Sequence, residues 1–166
     1  MHPLTPADVQ AALDSFGFGI QMIFFDDSTA TSQMAADKIG CELAQFVKSL
    51  AFIVDEQPIL VLASGDQRVD DRKIAALYNV GRKKVRVATP EECIAIYGYA
   101  PGGVPPLGHR TLGIPTYLDD MLQRHEQLYA AGGAHNAIFP VTRTQLVQLS
   151  DGRWLDVARK DSPAGG

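Results

Sequence analysis

The clearest pattern in the sequence is a pair of apolar runs of strand length, residues 48–54 and 58–63. The short polar segment between them, residues 55–57, is typical of a hairpin loop, so the two runs predict an antiparallel pair. Residues 83–88 alternate basic and apolar side chains, which predicts a strand with one face in water. Further strand-like runs are predicted at residues 20–25, 114–118, 127–130, 137–141 and 153–158.

Helix signals fall between these runs. Thr89, Pro90 and Glu92 combine an N-cap, a proline at the first helical position and a capping box. Gly98 is expected to end that helix. The other predicted helices have caps or apolar residues at helical spacing, and they cover about residues 9–16, 31–40, 42–47, 70–78 and 142–149.

The order of these elements favours a mixed sheet over a doubly wound one. Strands do not alternate regularly with helices, and several strands are joined by tight turns. We therefore predict a single compact α/β domain in which helices flank a mixed, curved sheet. The domain is expected to cover residues 1–159, with residues 160–166 as a flexible tail.

Composition and charge narrow the function classes. The 166 residues are 46% hydrophobic and 20% charged, as in an ordinary soluble globular protein. No apolar run approaches the roughly 20 residues that span a bilayer, and residues 1–14 lack the pattern of a signal peptide. We therefore expect a cytoplasmic protein without a membrane partner. A formal net charge of −4 predicts that any nucleic acid is contacted locally or with help from another protein.

Several kinds of catalytic centre are missing from the sequence. There is no GxSxG elbow, P-loop, GxGxxG or HExxH motif. The four histidines lack ligand-like spacing, and Cys41 and Cys93 belong to no CxxC pair. We therefore predict neither a metal site nor a cofactor, and we expect the cysteines to act as small buried hydrophobic residues.

Lys48 is the first residue that an ordinary core does not explain. On a strand, Lys48 shares its face with Leu50, Phe52 and Val54. A cation at the head of an apolar stripe either extends its ammonium to water from the strand end or points into a pocket. The pattern alone leaves both interpretations open.

The second unusual feature is the segment of residues 100–109, which holds three glycines and three prolines. Glycine lets the backbone approach a ligand closely, and proline fixes the shape, so the segment is expected to form a stiff wall with exposed amide groups. A plain structural turn is the alternative. The basic residues of the segment 82–86 likewise have two interpretations, as a local phosphate contact or as a solvated strand edge that deters pairing.

Four segments of the chain, taken in their order and spacing, resemble those of a known family. They are TSQMAADKIGCELAQFVKSLAFIV (31–54), DRKIAAL (71–77), VRVATPEECIAIYGYAPGGVPPLGH (85–109) and GGAHNAIFPV (132–141). In this order and spacing the chain resembles the YbaK/prolyl-tRNA-synthetase-associated editing family, over about residues 5–158.

The resemblance implies a barrel-like mixed sheet and an aminoacyl-tRNA deacylase. Its expected reaction is hydrolysis, in trans, of the ester of mischarged tRNA. The expected substrate is tRNA-Pro carrying a small non-cognate amino acid such as Ala, Cys, Ser or 2-aminobutyrate. The acceptor 3′ end is the expected partner, with prolyl-tRNA synthetase or an elongation factor as candidate protein partners. The alternative is a non-catalytic module that binds an amino acid or a tRNA end and docks on a synthetase.

The resemblance also implies the site residues. Lys48 matches the strand-leading lysine that is essential in the family, and is the expected catalytic residue. Gly102, Gly103 and Pro106 fall in the matching glycine-proline substrate loop. His135 matches a histidine that follows a glycine turn in some members.

Specificity is less sharply predicted. In the cysteine-specific branch of the family this last segment differs and carries an aspartate, whereas the residue after His135 is Asn136. That departure argues against a substrate restricted to Cys-tRNA. Phe25, Thr31 and Ile53 are the candidates for the pocket wall, from their proximity in the order of the motifs.

The expected chemistry is consistent with the absence of a catalytic triad. An aminoacyl ester is already activated, so its hydrolysis needs positioning and charge stabilisation more than a strong nucleophile. Lys48 is expected to pair with the terminal phosphate or to stabilise the oxyanion. Backbone amides around Gly102 and Gly103 are expected to hold the terminal ribose or the ester carbonyl, while a water or a group of the substrate completes proton transfer.

Overall fold

A mixed sheet of eight strands runs through the part of the chain that the structure, a computed structural model, describes: residues 1–26 and 32–160. The strands are β1 (Ile23–Phe24), β2 (Phe46–Val54), β3 (Gln57–Ser64), β4 (Val85–Val87), β5 (Thr116–Asp119), β6 (Gln127–Ala131), β7 (Ala137–Thr142) and β8 (Arg153–Leu155). The helices are α1 (Pro6–Asp14), α2 (Ser32–Ile39), α3 (Asp71–Leu77), α4 (Pro90–Glu92) and α5 (Arg143–Ser150). This architecture confirms the predicted mixed α/β fold class.

The long hairpin of β2 and β3 is the centre of the sheet, whose order is β1-β7-β6-β2-β3-β5-β8. Asp55 and Glu56 form its turn, and both have positive φ, 47° and 70°. Two successive left-handed residues match the twist of an antiparallel pair, so they set the register between the strands. In that register Lys48 lies opposite Ala63.

The second edge of β2 is shared by two strands. β6 pairs in parallel with Phe46 and Val47, and β4 pairs antiparallel with Phe52–Val54. The edge at residues 48–50 therefore lies between two ladders. It is the part of the sheet where a ligand can approach the backbone of a central strand.

The two faces of β2 pack into different clusters because its side chains alternate. Val47, Ala51 and Ile53 belong to the larger core cluster, which contains α1 and the buried Tyr97. Leu50, Phe52 and Val54 contact the other cluster, as the period-two pattern predicts. Lys48 therefore starts an apolar stripe.

Most predicted helix signals are present. Thr89 accepts a hydrogen bond from the Glu92 amide at 3.2 Å, and Thr142 accepts one from the Gln145 amide at 3.1 Å. Gly98, with φ +102°, ends the turn of π-helix that follows α4. None of the described helices is long and apolar enough to cross a bilayer.

Four predicted elements differ from the structure. The predicted strand 153–158 ends at Leu155. The predicted helix 42–47 is a single 3-10 turn, Leu43–Gln45, because Phe46 and Val47 pair with β6 instead. The predicted strand 20–25 is reduced to the two residues of β1. The predicted strand 83–88 begins only at Val85, after a 3-10 turn. Residues 161–166, which make up most of the predicted tail, lie outside the described residues.

Candidate active site

A cavity of about 370 Å³ lies at the open edge of β2. Lys48 and Ser49 line it from β2, and Gly102 and Val104 line it from the glycine-proline segment. His135 lines it from the turn between β6 and β7. The cavity thus brings together Lys48 and His135, which are 87 positions apart in the sequence.

Lys48 is held inside this cavity by the chain itself. Its ammonium donates a hydrogen bond to the backbone carbonyl of Gln67. Burial lowers the pKa of Lys48, nearby Arg68 lowers it further, and the carboxylate of Asp66 opposes both effects. An ammonium has three N–H donors, so two remain for a ligand. Lys48 therefore presents an oriented, partly desolvated charge to the cavity.

The turn that receives Lys48, residues 65–68, is fixed by its own contacts. The Gly65 amide donates to Phe46 O at 2.8 Å, and a Cβ at Gly65 would lie 2.7 Å from Leu43 O. Arg124 binds the Asp66 carboxylate through two nitrogens, at 2.7 and 3.1 Å. This bidentate contact is the main reason that the pKa of Asp66 lies below its ordinary value. Lys48 is thus bound to a rigid turn.

The segment after β8 supports the same turn from outside. The Arg159 amide donates to Arg68 O at 2.7 Å, and the Asp70 amide donates to Val157 O at 2.8 Å. The fully buried Asp119 accepts hydrogen bonds from the amides of Val157 and Ala158, each at 2.9 Å. Burying a carboxylate is costly unless it is hydrogen-bonded, so these contacts fix that segment beside the turn.

The opposite wall of the cavity is the segment 102–107, which packs on the turn between β6 and β7. Gly133 donates its amide to Gly103 O at 2.9 Å. A Cβ at Gly103 would lie 2.9 Å from both N and Cα of Ala134, so this position requires glycine. The structure therefore favours the stiff wall over a plain turn that faces only solvent.

The predicted substrate contacts have different positions. Gly102 is exposed, has φ +88° and lines the cavity together with Lys48 and His135. Gly103 is buried behind this wall, and its amide donates to Ala100 O at 3.1 Å. Pro106 is buried too and lines a separate cavity of about 380 Å³. The substrate-contact roles of these residues stay predictions.

Of the three candidates for the specificity wall, the two that the structure describes, Phe25 and Ile53, do not line the cavity. Thr31 lies outside the described residues. Ile53 is buried in the larger core cluster. Phe25 packs beside α2, and its backbone exchanges hydrogen bonds with Asn136 at 2.8 and 3.3 Å. Four alanines take part in the lining instead, namely Ala35, Ala131, Ala134 and Ala137.

The sequence prediction missed Gln67, Ser49 and Val104. Gln67 could have been found from the hairpin register, because the residues that follow β3 must lie beside the start of β2. Ser49 and Val104 also line the cavity, and although both lie in the segments that resemble the family, neither residue type marked a site. Ser49 also has a buried hydroxyl with no hydrogen-bond partner among the described residues.

The basic segment 82–86 lies at the opposite end of β2 from Lys48. Three of its cations already face carboxylates: Arg82 with Asp71 at 3.0 Å, Lys84 with Asp55 at 3.9 Å and Arg86 with Glu92 at 2.7 Å. These pairs reduce the net charge that the segment offers to a phosphate. Within residues 1–26 and 32–160, no group of three or more His, Cys, Asp or Glu side chains is placed to hold a metal ion.

Comparison with known proteins decides the family. The model of the aminoacyl-tRNA editing domain matches residues 26–149. The chain belongs to this family. Membership confirms the resemblance that the sequence motifs indicated, and the protein is an aminoacyl-tRNA deacylase, a hydrolase of the aminoacyl ester bond.

Several known proteins are similar over most of the chain. The uncharacterized protein YwhH of Bacillus subtilis is 33% identical, covering 81% of this chain and 85% of its own length. EbsC of Enterococcus faecalis, named as a candidate Cys-tRNA(Pro)/Cys-tRNA(Cys) deacylase, is 24% identical over 79% of each chain. Proline–tRNA ligase of Shouchella clausii is 30% identical over 79% of this chain, which spans only 21% of the ligase.

A solved structure has the same fold. The crystal structure of a candidate trans-editing enzyme for prolyl-tRNA synthetase superposes with a TM-score of 0.87 at 38% sequence identity. The superposition covers 93% of this chain and 97% of the other. The editing domain therefore occurs both as nearly the whole of a short chain and as a part of a much longer synthetase.

Proposed function

We propose that this protein acts in trans on mischarged tRNA, and that its main substrate is tRNA-Pro carrying a small non-cognate amino acid. Alanine, cysteine, serine and 2-aminobutyrate are the candidates. The observation that carries the proposal is the placement of the Lys48 ammonium in a cavity whose other walls hold Gly102 and His135. Such a cavity holds an acceptor end between a fixed charge and a stiff backbone wall.

Cavity size supports a small amino acid. Its volume of about 370 Å³ lies near the lower end of ligand pockets, which span roughly 300–1,000 Å³. Four alanines take part in the lining. Their small apolar side chains offer no polar group that would reject one particular small amino acid. One methylene changes binding by only about 1–3 kcal/mol, so we expect a group of substrates rather than a single one.

The proposed role of Lys48 is charge stabilisation and orientation. The two ammonium N–H groups not bound to Gln67 donate to a phosphate oxygen or to the oxyanion that forms at the ester carbonyl. Water attacks the ester carbon, and the C–O bond to the terminal ribose breaks. The released ribose hydroxyl takes up a proton that the attacking water gives up. The ester is activated enough that positioning supplies most of the required acceleration.

The names of the relatives support the tRNA-Pro assignment. One similar structure is a candidate trans-editing enzyme for prolyl-tRNA synthetase, and one relative is a candidate Cys-tRNA(Pro)/Cys-tRNA(Cys) deacylase. The cysteine-specific branch of the family carries an aspartate in the segment where this chain has Asn136, and that departure argues against a cysteine-only substrate. Prolyl-tRNA synthetase is the protein partner that this substrate suggests, and tRNA charging takes place in the cytoplasm.

The proposed substrate class is tested by incubating wild-type protein with tRNA-Pro charged with Ala, Cys, Ser, 2-aminobutyrate or Pro. We expect release of the small non-cognate residues and slow release of proline. Saturable binding of the charged tRNAs without release from any of them would contradict the proposal and favour the non-catalytic binding module.

A further inference from the structure

Three backbone carbonyls of residues 103–108 accept hydrogen bonds from other parts of the protein. Gly103 O accepts from the Gly133 amide at 2.9 Å, at the end that lines the cavity. Gly108 O accepts from the Tyr99 hydroxyl at 2.9 Å, at the far end. Between them, Pro105 O lies 2.7 Å from Nε2 of His109. The middle of the wall is thus held by one side chain.

Pro105 O needs that donor for a simple reason. Residues 103–107 are buried, and a buried carbonyl without a partner is costly. Pro105 and Pro106 carry no N–H, so this stretch cannot join a regular backbone ladder. Since a carbonyl only accepts, the Nε2 of His109 carries the proton and donates it.

His109 is itself anchored to the central hairpin. Its ring meets the Tyr97 ring edge to face, with centroids 6.0 Å apart and planes at 86°. Tyr97 is fully buried, and its hydroxyl lies 2.6 Å from Ile59 O and 3.2 Å from Phe52 O. A chain of contacts therefore leads from β2, which carries Lys48, through Tyr97 and His109 to Pro105.

His109 is suited to a neutral donor role. Burial lowers the pKa of its imidazole, and the hydrogen bond to Pro105 only partly opposes this. A neutral ring donates one hydrogen bond and adds no charge to the neighbourhood of the wall. A protonated ring is not required for this contact.

We propose that His109 is a positioning residue of the editing site, because its Nε2–H holds Pro105 O and so fixes Gly102 and Val104 opposite Lys48. His109 does not line the cavity, so it acts through the wall rather than on the substrate. This inference rests on the proposed function for its catalytic consequence. The effect on the wall itself does not depend on that function.

The test compares three single variants with wild-type protein. His109→Phe keeps an aromatic ring but removes the donor. His109→Gln places an amide N–H near the position of Nε2. Tyr99→Phe is the matched control, since it removes one donor from the same segment at Gly108, which lies away from the Lys48 cavity.

The first measurement is deacylation of Ala-tRNA-Pro with kcat and KM separated. We expect His109→Phe to lower kcat/KM by about 10- to 100-fold, mostly through kcat, because a small misplacement of a positioning group has an effect of this size. His109→Gln is expected to regain most of the loss. The kcat/KM of Tyr99→Phe is expected to stay within about twofold of that of wild type, although this variant also loses a hydrogen bond. Melting temperatures of all variants are measured as a check on folding.

The second measurement needs no activity. Amide NMR resonances of Gly102, Gly103 and Val104 are expected to shift or broaden in His109→Phe and to return in His109→Gln. If wild-type protein hydrolyses none of the charged tRNAs, the proposed function fails, and these resonances still test the His109 assignment. The assignment is overturned if folded His109→Phe keeps wild-type resonances in the wall, or if Tyr99→Phe impairs kcat as strongly.

Discussion

The ammonium of Lys48 and the backbone carbonyl of Gln67 are joined by a hydrogen bond that closes one side of the candidate active site. The contact explains why a lysine at the head of an apolar strand does not simply extend to water. It binds a turn that is fixed by Arg124 and by the segment after β8. The cation is therefore oriented before any substrate arrives, which reduces the reorganisation that a reaction requires.

The charge of Asp66 is expected to raise the pKa of Lys48, and Asp66→Asn tests this coupling. The variant removes the anion beside Lys48 that opposes the effects of burial and Arg68, so the pKa of Lys48 should fall below that in wild type. Because a lysine is charged only below its pKa, the high-pH decline of deacylation should move to lower pH in the variant. Titration of the Lys48 side chain by NMR measures the shift directly.

Asp55→Asn is the control for this experiment. It removes a carboxylate that faces Lys84 at 3.9 Å in the hairpin turn, far along β2 from Lys48. We expect no change in the titration of Lys48. An unchanged Lys48 titration in Asp66→Asn would show that the two groups do not interact as the structure indicates.

Gly103→Ala is expected to push the wall away from the turn between β6 and β7. The added Cβ would lie 2.9 Å from backbone atoms of Ala134, which has no flexible end that can yield. Overpacking of this kind lowers the free energy of unfolding by about 1–3 kcal/mol. Chemical denaturation measures that loss, and deacylation should fall with it.

Gly81→Ala is the matched glycine variant. Nothing lies within 4 Å of a Cβ at Gly81, and its φ of −70° suits any residue. We expect a free energy of unfolding equal to that of wild type or slightly higher. Equal stability of Gly103→Ala and Gly81→Ala would mean that the wall does not need its close approach to Ala134.

The sequence predicted the sheet well because its signals were local. The hairpin of residues 48–63 has two apolar runs and a short turn, and caps such as Thr89 and Thr142 mark helix starts by side-chain chemistry alone. The prediction of a helix at residues 42–47 was wrong because parallel pairing with β6, about 80 residues away, outweighs the local helical pattern. Such long-range pairing is not encoded in any window of the sequence.

The site was predicted only where a residue type was out of place or matched a family motif. Lys48 is a charge on an apolar stripe, and Gly102 belongs to a conspicuous glycine-proline segment. Gln67 binds Lys48 through its backbone carbonyl, which any residue could supply, so the residue type at this position does not reveal the contact. Ser49 and Val104 take part because tertiary packing brings the segment 102–107 to the edge of β2.

Arg68 is expected to add a phosphate contact to the site. Arg68 is exposed and lies close enough to lower the pKa of Lys48. No carboxylate of the described residues lies within ion-pair distance of it. Replacing a cation that contacts a phosphate weakens binding and reduces the salt slope by about one. We expect Arg68→Gln to weaken the binding of a tRNA acceptor hairpin. We also expect it to reduce the slope of the logarithm of the binding constant against the logarithm of salt concentration. Binding isotherms at several salt concentrations measure both effects.

Lys84→Gln removes the same charge at the opposite end of β2 and serves as the control. Its ammonium is exposed and already faces Asp55, so its loss should leave the salt slope almost unchanged. Equal weakening by both variants would indicate a general effect of protein charge rather than a contact at Arg68.

The proposed catalytic role of Lys48 is tested by single-turnover release of alanine from Ala-tRNA-Pro by wild-type protein and by Lys48→Met. Methionine keeps much of the apolar stem of Lys48 and removes the charge, so the fold should persist, which unfolding curves check. This role predicts rapid release by wild type and at least about 100-fold slower release by the variant, the size of effect seen when one oxyanion donor is lost. Equal rates of release by the two proteins would contradict it.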